Sequence, residues 1–183
     1  MGMFKFESTN IEGLFVVELN PFKDERGYFM ETYNESDFFK AGLCMKFVQT
    51  NESASKKGVL RGLHFQKNSP QGKLVRCIKG EVFDVAVDIR KGSPTFGMWF
   101  GVTLSEGNFK QFYIPEGFAH GFYVLSNEAK FLYKVTNFYN KEDEGAILWN
   151  DKEIGIDWPI PYGNLPILSS KDRNNPKLVD IKF

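Results

Sequence analysis

From residue 58 to about residue 136, short apolar runs alternate regularly with turn residues. The runs are KLVRCIKG, EVFDVAVDI, MWFGVTL, KQFYIPEG, HGFYVLS and AKFLYKVTN, separated by Gly, Ser, Asn or Lys-Gly turns. Many short strands at this spacing, with no long helix between them, are typical of an antiparallel sandwich or barrel. The pattern therefore predicts an all-β protein.

The segments before residue 58 predict three more strands and one helix. GLFVVEL, GYFMETY and MKFVQTN have the composition of short strands between turns. The helix is predicted over NESDFFKAGL, with Asn34 or Ser36 as its N-cap, Phe38 and Phe39 packed, and Gly42 at its end.

The C-terminal tail is rich in Pro, Gly, Asn and Asp after Trp149. This composition predicts loops with a short helical turn. Since no repeat, low-complexity tract or clear linker interrupts the chain, residues 1–183 are predicted to form a single domain.

Composition narrows the range of partners. Lys+Arg and Asp+Glu both number 23, so the net charge is near zero, which argues against binding nucleic acid through a broad basic surface. No apolar segment is long enough for a signal peptide or a membrane span. Cys44 and Cys77 are too few for a disulfide framework, and we expect both to be small buried residues in a reducing environment. The predicted location is the cytoplasm.

The chain has two histidines, and both lie in apolar, strand-like segments. In GVLRGLHFQ, strand alternation predicts that Arg61 and His64 point to opposite faces. An isolated histidine in such a strand is most often a core residue with satisfied hydrogen bonds. The second, His120, lies in PEGFAHGF, which resembles the second half-motif of the cupin superfamily, a double-stranded β-helix or jelly roll.

The histidine count bears on metal binding. Many cupins bind a metal through a His-x-His pair, a glutamate and the later histidine. Here the earlier segment reads His64-Phe65-Gln66, so the pair is absent and a three-histidine site cannot form. Two histidines with carboxylates could still bind a metal. We predict instead a metal-free site that performs acid–base chemistry with organic groups alone.

Six longer segments carry a more specific resemblance: GVLRGLHFQ, QGKLVRCIKGEVFDVAVDIRKGSPTFGMW, IPEGFAHGFYVLS, FLYKVTNFYNKEDEGAILWND, IGIDWP and LSSKD. Together they are similar to the dTDP-4-dehydrorhamnose 3,5-epimerase family, from about residue 4 to about residue 178. The resemblance implies a homodimeric cupin jelly roll that needs no metal or organic cofactor. It also implies inversion of C3 and C5 of dTDP-4-dehydro-6-deoxyglucose, on the route to dTDP-L-rhamnose for cell-surface polysaccharide.

The chemistry of such an inversion requires three kinds of group. The C4 ketone acidifies the protons at C3 and C5, so a base, a group that stabilises the enolate oxygen, and an acid on the opposite face are needed. By resemblance, His64 is the base and Asp172, in SSKD, orients it. Lys73, in QGKLVR, is expected near the C4 oxygen, and Tyr133, in FLYKVT, is expected to donate the proton.

The resemblance also implies substrate-binding residues. Arg61 matches an arginine that binds the diphosphate, for which a planar guanidinium is well suited. Gln49 and Asn51 match polar groups at the nucleotide, and Tyr139 is expected to line the pocket. His120 matches a second pocket histidine that hydrogen-bonds the sugar or stabilises the oxyanion.

The segment KDERGYFMETY is expected to act across a dimer. Its Arg26, Phe29 and Glu31 resemble the family segment that swaps to the partner and helps to cover the thymidine. The predicted partners are thus a dTDP-sugar and a second copy of this chain, with no nucleic acid and no membrane.

Two alternatives remain open from the sequence. One is a related cupin epimerase that inverts only C3 or only C5, or that prefers another nucleotide sugar. The other is a non-catalytic carbohydrate-binding jelly roll. The joint presence of His64, Asp172, Lys73 and Tyr133 argues against the second, since binding alone would not require all four groups.

Overall fold

A computed structural model describes residues 2–182, and their regular structure is almost entirely β. Its strands are β1 (Phe4–Ser8), β2 (Phe15–Leu19), β3 (Phe22–Asp24), β4 (Gly27–Phe29), β5 (Gln49–Lys56), β6 (Leu60–Gln66), β7 (Lys73–Lys79), β8 (Glu81–Asp88), β9 (Trp99–Ser105), β10 (Lys110–Ile114), β11 (Phe118–Val124), β12 (Glu128–Val135) and β13 (Glu144–Ala146). Two short α-helices are α1 (Glu35–Lys40) and α2 (Ser170–Arg173), and single 3₁₀ turns lie at Lys141–Asp143 and Leu178–Asp180. Within the described residues, no helix has the length and apolar character needed to cross a membrane.

The strands form two large antiparallel sheets and a hairpin. The larger sheet has the order β1-β2-β10-β7-β12-β5, the smaller has the order β13-β6-β11-β8-β9, and β3 pairs with β4. The two large sheets pack face to face, which confirms the predicted antiparallel jelly roll. The sequence did not predict β1, β3 or β13. In GYFMETY, only Gly27–Phe29 finds a partner strand, and MKFVQTN becomes extended only from Gln49.

The main core lies between the two sheets. Val75, Phe112 and Phe131 from the larger sheet pack against Ala86 and Phe122 from the smaller one. The rings of Phe122 and Phe131 are stacked with their centroids 4.4 Å apart. These aromatic side chains fill the interior of the sandwich up to one open end, where polar side chains replace them.

Both sheets are also covered on their outer faces. The C-terminal segment packs Ile154 and Trp158 against Leu63 of the smaller sheet, and α1 packs Phe38 against the larger sheet. As a result every residue of β11 is buried. A strand that is buried on both faces has apolar residues at nearly every position. This explains why the sequence contains continuous apolar runs instead of a strict alternation of apolar and polar residues.

The helix α1 begins where the sequence placed it. The Asn34 side chain accepts hydrogen bonds from the backbone N–H groups of Ser36 (3.1 Å) and Asp37 (3.3 Å), and it is the N-cap. Phe38 is buried as predicted, whereas the expected packing of Phe39 is wrong because that side chain is 66% exposed. Adjacent residues of a helix point about 100° apart, so one turn can direct only one of the two rings at the sheet.

The prediction for the cysteines is half right. Cys77 on β7 is buried in the core between the sheets. Cys44 is exposed, so the expectation that it is buried is wrong. Leu43 takes the buried position in this stretch and packs beneath α1, which leaves its neighbour facing outward.

Candidate active site

A cavity of about 220 Å³ lies at the open end of the sandwich, between the two sheets. Phe122 and Phe131, the last aromatic layer of the core, form its apolar wall. The polar lining comes from both sheets and from the loops after β6 and after β12: Ser53, Arg61, His64, Gln66, Gln71, Lys73, His120, Tyr133, Tyr139 and Glu144. The structure thus brings together all but one of the predicted catalytic groups in one cavity, and the remaining one, Asp172, contacts it through His64.

A bulge in β6 determines which side chains face this cavity. His64 lies opposite His120 on β11, whereas Arg61 lies opposite Phe122, so three steps on β6 match two on β11. One extra residue in a strand reverses the alternation. Arg61 and His64 therefore point to the same face, and the prediction from simple alternation that they point to opposite faces is wrong.

Glycine allows the two strands to approach at the bulge. Gly62 has φ +134°, a conformation that side-chain-bearing residues rarely adopt. A Cβ atom at Gly62 would lie 2.5 Å from the Cα atom of Gly121. The glycines of LRGLHF and AHGF thus hold His64 and His120 side by side on neighbouring strands.

His64 is paired with a buried carboxylate. Its Nε2 atom lies 2.6 Å from Oδ1 of Asp172, and the His64 side chain is 38% exposed whereas that of Asp172 is 5% exposed. Asp172 lies in α2, whose N-cap Ser169 donates its hydroxyl proton to Asp172 Oδ2 at 2.9 Å. The short helix therefore fixes both oxygens of the carboxylate.

The electrostatics of this pair keep the carboxylate of Asp172 ionised beside His64. Burial alone would raise the pKa of Asp172, but hydrogen bonds and charge from His64 and the hydrogen bond from Ser169 lower it below its ordinary value. An ionised carboxylate only accepts hydrogen bonds, so Nε2 of a neutral His64 carries the proton and Nδ1 carries the free electron pair. A histidine held in this way can remove a proton from carbon.

His120 forms a second histidine–carboxylate pair deeper in the protein. Its Nε2 atom lies 2.9 and 3.1 Å from the two oxygens of Asp84 on β8. Asp84 is fully buried and His120 is 8% exposed. Burial lowers the pKa of His120 and raises that of Asp84, although each partner's charge opposes the shift. His120 is thus a neutral, fixed hydrogen-bonding group.

Lys73 places an amino group next to both pairs. It is 7% exposed, and its Nζ atom donates to the backbone oxygen of His64 at 3.4 Å. Burial lowers the pKa of Lys73 to about 8, although the charge of Asp84 raises it. A cation at this position can stabilise negative charge that develops on a bound oxygen.

Tyr133 faces the two histidines from the opposite sheet. It lies on β12 of the larger sheet, whereas His64 and His120 lie on the smaller one. Burial raises the pKa of Tyr133, although Arg61 has the opposite effect. Its hydroxyl is therefore protonated near neutral pH and can donate a proton from the side opposite His64.

An adjoining cavity of about 250 Å³ collects most of the residues predicted at the nucleotide. It is lined by Gln49, Asn51, Gln71, Tyr133 and Tyr139. The amide of Gln49 donates to Asn51 at 2.7 Å, which holds both side chains in place on β5. Arg61 borders the first cavity and donates to the Ser55 hydroxyl at 3.1 Å.

Three predicted residues do not reach either cavity within this chain. Arg26 is exposed and pairs with Asp24 beside the β3–β4 hairpin. Phe29 is 68% exposed, and Glu31 accepts a hydrogen bond from Asn34 at 3.4 Å. Their role at a partner's nucleotide site stays a prediction.

Sequence reasoning missed several polar residues at the site. Asp84 was detectable, since it shares the inward face of β8 with the core residues Val82 and Ala86. The hydroxyl of Ser53 is buried in the cavity without a hydrogen-bond partner among the described residues, so it is available to a ligand. Glu144 and Lys171 form an ion pair of 2.6 Å at the cavity edge. Both lie in segments that carry the family resemblance, but the sequence alone assigned neither of them a role.

A separate cavity of about 450 Å³ lies behind His64. It is lined by His64, Glu144 and α2 with the residues that follow it, including Lys171, Asn175 and Asp180. Across residues 2–182, no three or more His, Cys, Asp or Glu side chains are grouped to hold a metal ion. Metal-independent activity stays a prediction.

Comparison with known proteins gives a consistent result over nearly the whole chain. Residues 8–180 match the family model described as dTDP-4-dehydrorhamnose 3,5-epimerase. The chain is 55% identical to the enzyme of that name from Methanothermobacter thermautotrophicus, over 95% of this chain and 94% of the relative. It is 58% identical to the one from Salmonella typhimurium, over 93% of each. A solved dTDP-6-deoxy-D-glucose-3,5-epimerase from Legionella pneumophila, in complex with dTDP-4-keto-L-rhamnose, is 49% identical and superposes with a TM-score of 0.94, covering 98% of this chain and 95% of that one.

Proposed function

This chain belongs to the dTDP-4-dehydrorhamnose 3,5-epimerase family, and we propose that it inverts C3 and C5 of dTDP-4-dehydro-6-deoxy-D-glucose. The product, dTDP-4-dehydro-L-rhamnose, leads to dTDP-L-rhamnose. The observation that carries this proposal is the 2.6 Å contact between His64 and buried Asp172, in a cavity whose opposite wall presents Tyr133. His64 and Tyr133 lie on different sheets, so a sugar bound between them would meet base and acid on opposite faces of its ring, as inversion requires.

The first step is removal of a proton from carbon. Nδ1 of His64 takes the proton from C3 or C5, and the electrons of the broken C–H bond move onto the C4 oxygen. Asp172 holds the ring and stabilises the imidazolium that forms. The orientation of Asp172 by Ser169 at 2.9 Å supports this role.

The enolate must then be stabilised. The Lys73 ammonium is proposed to lie near the C4 oxygen, where it offsets the negative charge. His120 is proposed to hydrogen-bond the sugar from its fixed position against Asp84. Because both groups are buried, little solvent screens their interaction with the substrate.

The last step delivers a proton to the opposite face of the ring. Tyr133 donates from β12, and the carbon is inverted. After each inversion His64 has gained one proton and Tyr133 has lost one. Both groups must exchange protons with solvent before the second carbon reacts.

The nucleotide end is proposed to bind at the adjoining cavity. Arg61 would pair with the diphosphate from the edge of the first cavity. Gln49, Asn51 and Tyr139 would contact the nucleoside, and the position of these three at the adjoining cavity supports this.

We further propose a homodimer in which the segment from Arg26 to Tyr33 crosses to the partner. Exposure of Phe22 (62%), Tyr28 (55%) and Phe29 (68%) on the hairpin supports this, because such rings are usually covered. The proposal also includes a single domain over residues 1–183, a cytoplasmic location and no cofactor.

Incubation with the dTDP-4-keto sugar, followed by ¹H NMR at C3 and C5, tests the function. Inversion at both carbons is expected. Inversion at one carbon would identify a related monoepimerase, and binding without inversion would identify a carbohydrate-binding jelly roll. Either result would reject the proposed reaction.

A further inference from the structure

The side-chain amide of Gln66 directs all of its polar atoms at the backbone of two loops. Its Nε2 atom donates to the backbone oxygens of Ser69 (2.7 Å) and Phe138 (3.2 Å), and its Oε1 atom accepts from the backbone N–H of Asn140 (2.8 Å). Gln66 is 5% exposed and lines the 220 Å³ cavity. A primary amide has two N–H donors, so Gln66 has none left for a substrate. Its contacts point instead to a role in holding the loop after β12.

Two of these hydrogen bonds flank Tyr139 along the chain. Phe138 precedes it and Asn140 follows it, and the N–H of Tyr139 itself donates to Oε1 of Gln49 on β5 at 3.2 Å. Residues 136–140 form neither helix nor strand, so side chains provide hydrogen-bond partners for their backbone groups. Gln66 from the smaller sheet and Gln49 from the larger sheet thus hold the backbone around Tyr139 from both sides.

The side chain of Tyr139 lies where the two cavities meet. It lines the 220 Å³ cavity that contains His64 and also the adjoining 250 Å³ cavity. Tyr139 is 53% exposed. Because about half of its surface is exposed, packing alone fixes the ring weakly, and the position of the ring depends on its backbone. The hydrogen bonds of Gln66 on either side of Tyr139 therefore determine where the ring stands.

We propose that Gln66 is a positioning residue for the nucleotide: it ties Tyr139 to the strand that carries the base. The proposal rests on the proposed function, in which Tyr139 contacts the nucleoside and His64 removes the proton. His64 and Gln66 lie two residues apart on β6, and both line the first cavity. One strand then fixes both the base and the ring beside the nucleoside, which keeps the sugar carbons at a constant distance from His64. A misplacement of about 1 Å in such an arrangement can cost about 100-fold in rate.

The test is a double-mutant cycle of Gln66→Met and Tyr139→Ala, with dTDP as the probe and its affinity measured by titration calorimetry. Methionine keeps the length of the side chain but has no amide, so the loop loses its hydrogen bonds to β6. Gln66→Met should weaken dTDP binding by about 5–10-fold, which is the effect of one lost hydrogen bond. In the Tyr139→Ala background the same substitution should change the affinity by less than about twofold, because the ring that Gln66 positions is absent.

The cycle separates positioning from a general role in stability. If Gln66 only stabilised the fold, Gln66→Met would leave dTDP affinity unchanged or would lower it equally in both backgrounds. Either result would overturn the proposal. Gln66→Glu is a second variant should Gln66→Met fail to fold. Its carboxylate can still accept from Asn140 but cannot donate to the Phe138 oxygen, so its effect should depend on Tyr139 in the same way.

Thr95→Val is the matched control, since it removes a hydrogen bond that fastens a different loop. The Thr95 hydroxyl donates to Asp88 Oδ2 at 2.6 Å in the connection between β8 and β9. Neither residue lines the two cavities that Tyr139 joins. This variant should lose some stability and keep the dTDP affinity of the wild type. An equal loss of affinity in Thr95→Val and Gln66→Met would count against a specific role for Gln66.

Amide hydrogen exchange of the free protein tests the contact without any ligand. The Asn140 N–H, which donates to Gln66, should lose its protection in Gln66→Met and keep it in Thr95→Val. Unchanged protection in a folded Gln66→Met variant would refute the role of Gln66. Wild-type protein that binds dTDP and shows the expected cycle, but does not invert C3 and C5, would reject the proposed reaction and leave the role of Gln66 standing.

Discussion

The division of labour between His64 and Tyr133 can be tested because the two residues act on opposite walls of the cavity. His64→Ala removes the group that forms the enolate. Tyr133→Phe keeps the base and the groups around the enolate oxygen but removes the opposite acid. The two variants should therefore fail at different steps.

The magnitude follows from what the tyrosine substitution changes. Tyr133 lies beside Phe131, with ring centroids 6.2 Å apart, and a phenylalanine ring fits the same space without opening a cavity. The lost function is thus general acid catalysis, which contributes about 10²–10⁴-fold, or about 2.7–5.4 kcal/mol of barrier. Product formation should fall by that factor.

Exchange with solvent deuterium separates the steps. In D₂O, Tyr133→Phe should still place deuterium at C3 or C5 of recovered substrate, because the enolate forms and is reprotonated on its original face. His64→Ala should show neither exchange nor product. Both are measured by ¹H NMR of the sugar signals over time.

Tyr123→Phe is the matched control for the tyrosine variant. Tyr123 is also buried, but it lies in the core on the outer face of the smaller sheet, away from the cavity. It should exchange and invert normally. If Tyr133→Phe stops exchange as completely as His64→Ala does, Tyr133 is needed to form the enolate and the assignment of roles is wrong.

Three further predictions address charge, metal and assembly. Since the pKa of Lys73 is lowered to about 8, kcat/KM should fall as the pH rises through that value and the ammonium is lost. The Lys73→Arg variant should be less active, but its side chain stays charged, so the fall near pH 8 should vanish. If the fall persists in this variant, Lys73 is not its source. Activity should survive EDTA, and loss that a divalent ion restores would show that a metal is required. Light scattering at micromolar concentration should give a dimer, and a monomer would contradict crossing of the segment from Arg26 to Tyr33.

The fold was predictable because local pattern and tertiary burial agree along most of the chain. Runs such as HGFYVLS and EVFDVAVDI became β11 and β8 with small changes at their ends. The N-terminal strands were less predictable. A three-residue pairing such as that of β4 with β3 depends on which segments meet, and composition does not encode this.

The candidate site was predictable only where a side chain belongs to a long motif. One cavity is lined by His64, Lys73 and Tyr133, and His64 contacts Asp172 there. The shared face of Arg61 and His64 was not predictable, because it depends on one extra residue in β6 whose position is fixed by pairing with β11. A bulge reverses side-chain alternation without leaving a mark in the apolar pattern.

The two histidines show how one kind of pair can serve two purposes. Each imidazole contacts a carboxylate through Nε2, yet the side chain of His64 is 38% exposed and that of His120 only 10% exposed. His64 also borders the cavity of about 450 Å³ beside α2, through which it can exchange its proton with solvent between the two inversions. His120 is enclosed with Asp84 and Lys73, where burial lowers its pKa and keeps it neutral. In the proposed mechanism His64 acts twice on one bound sugar and needs the first environment, whereas His120 holds the sugar in a constant position and needs the second.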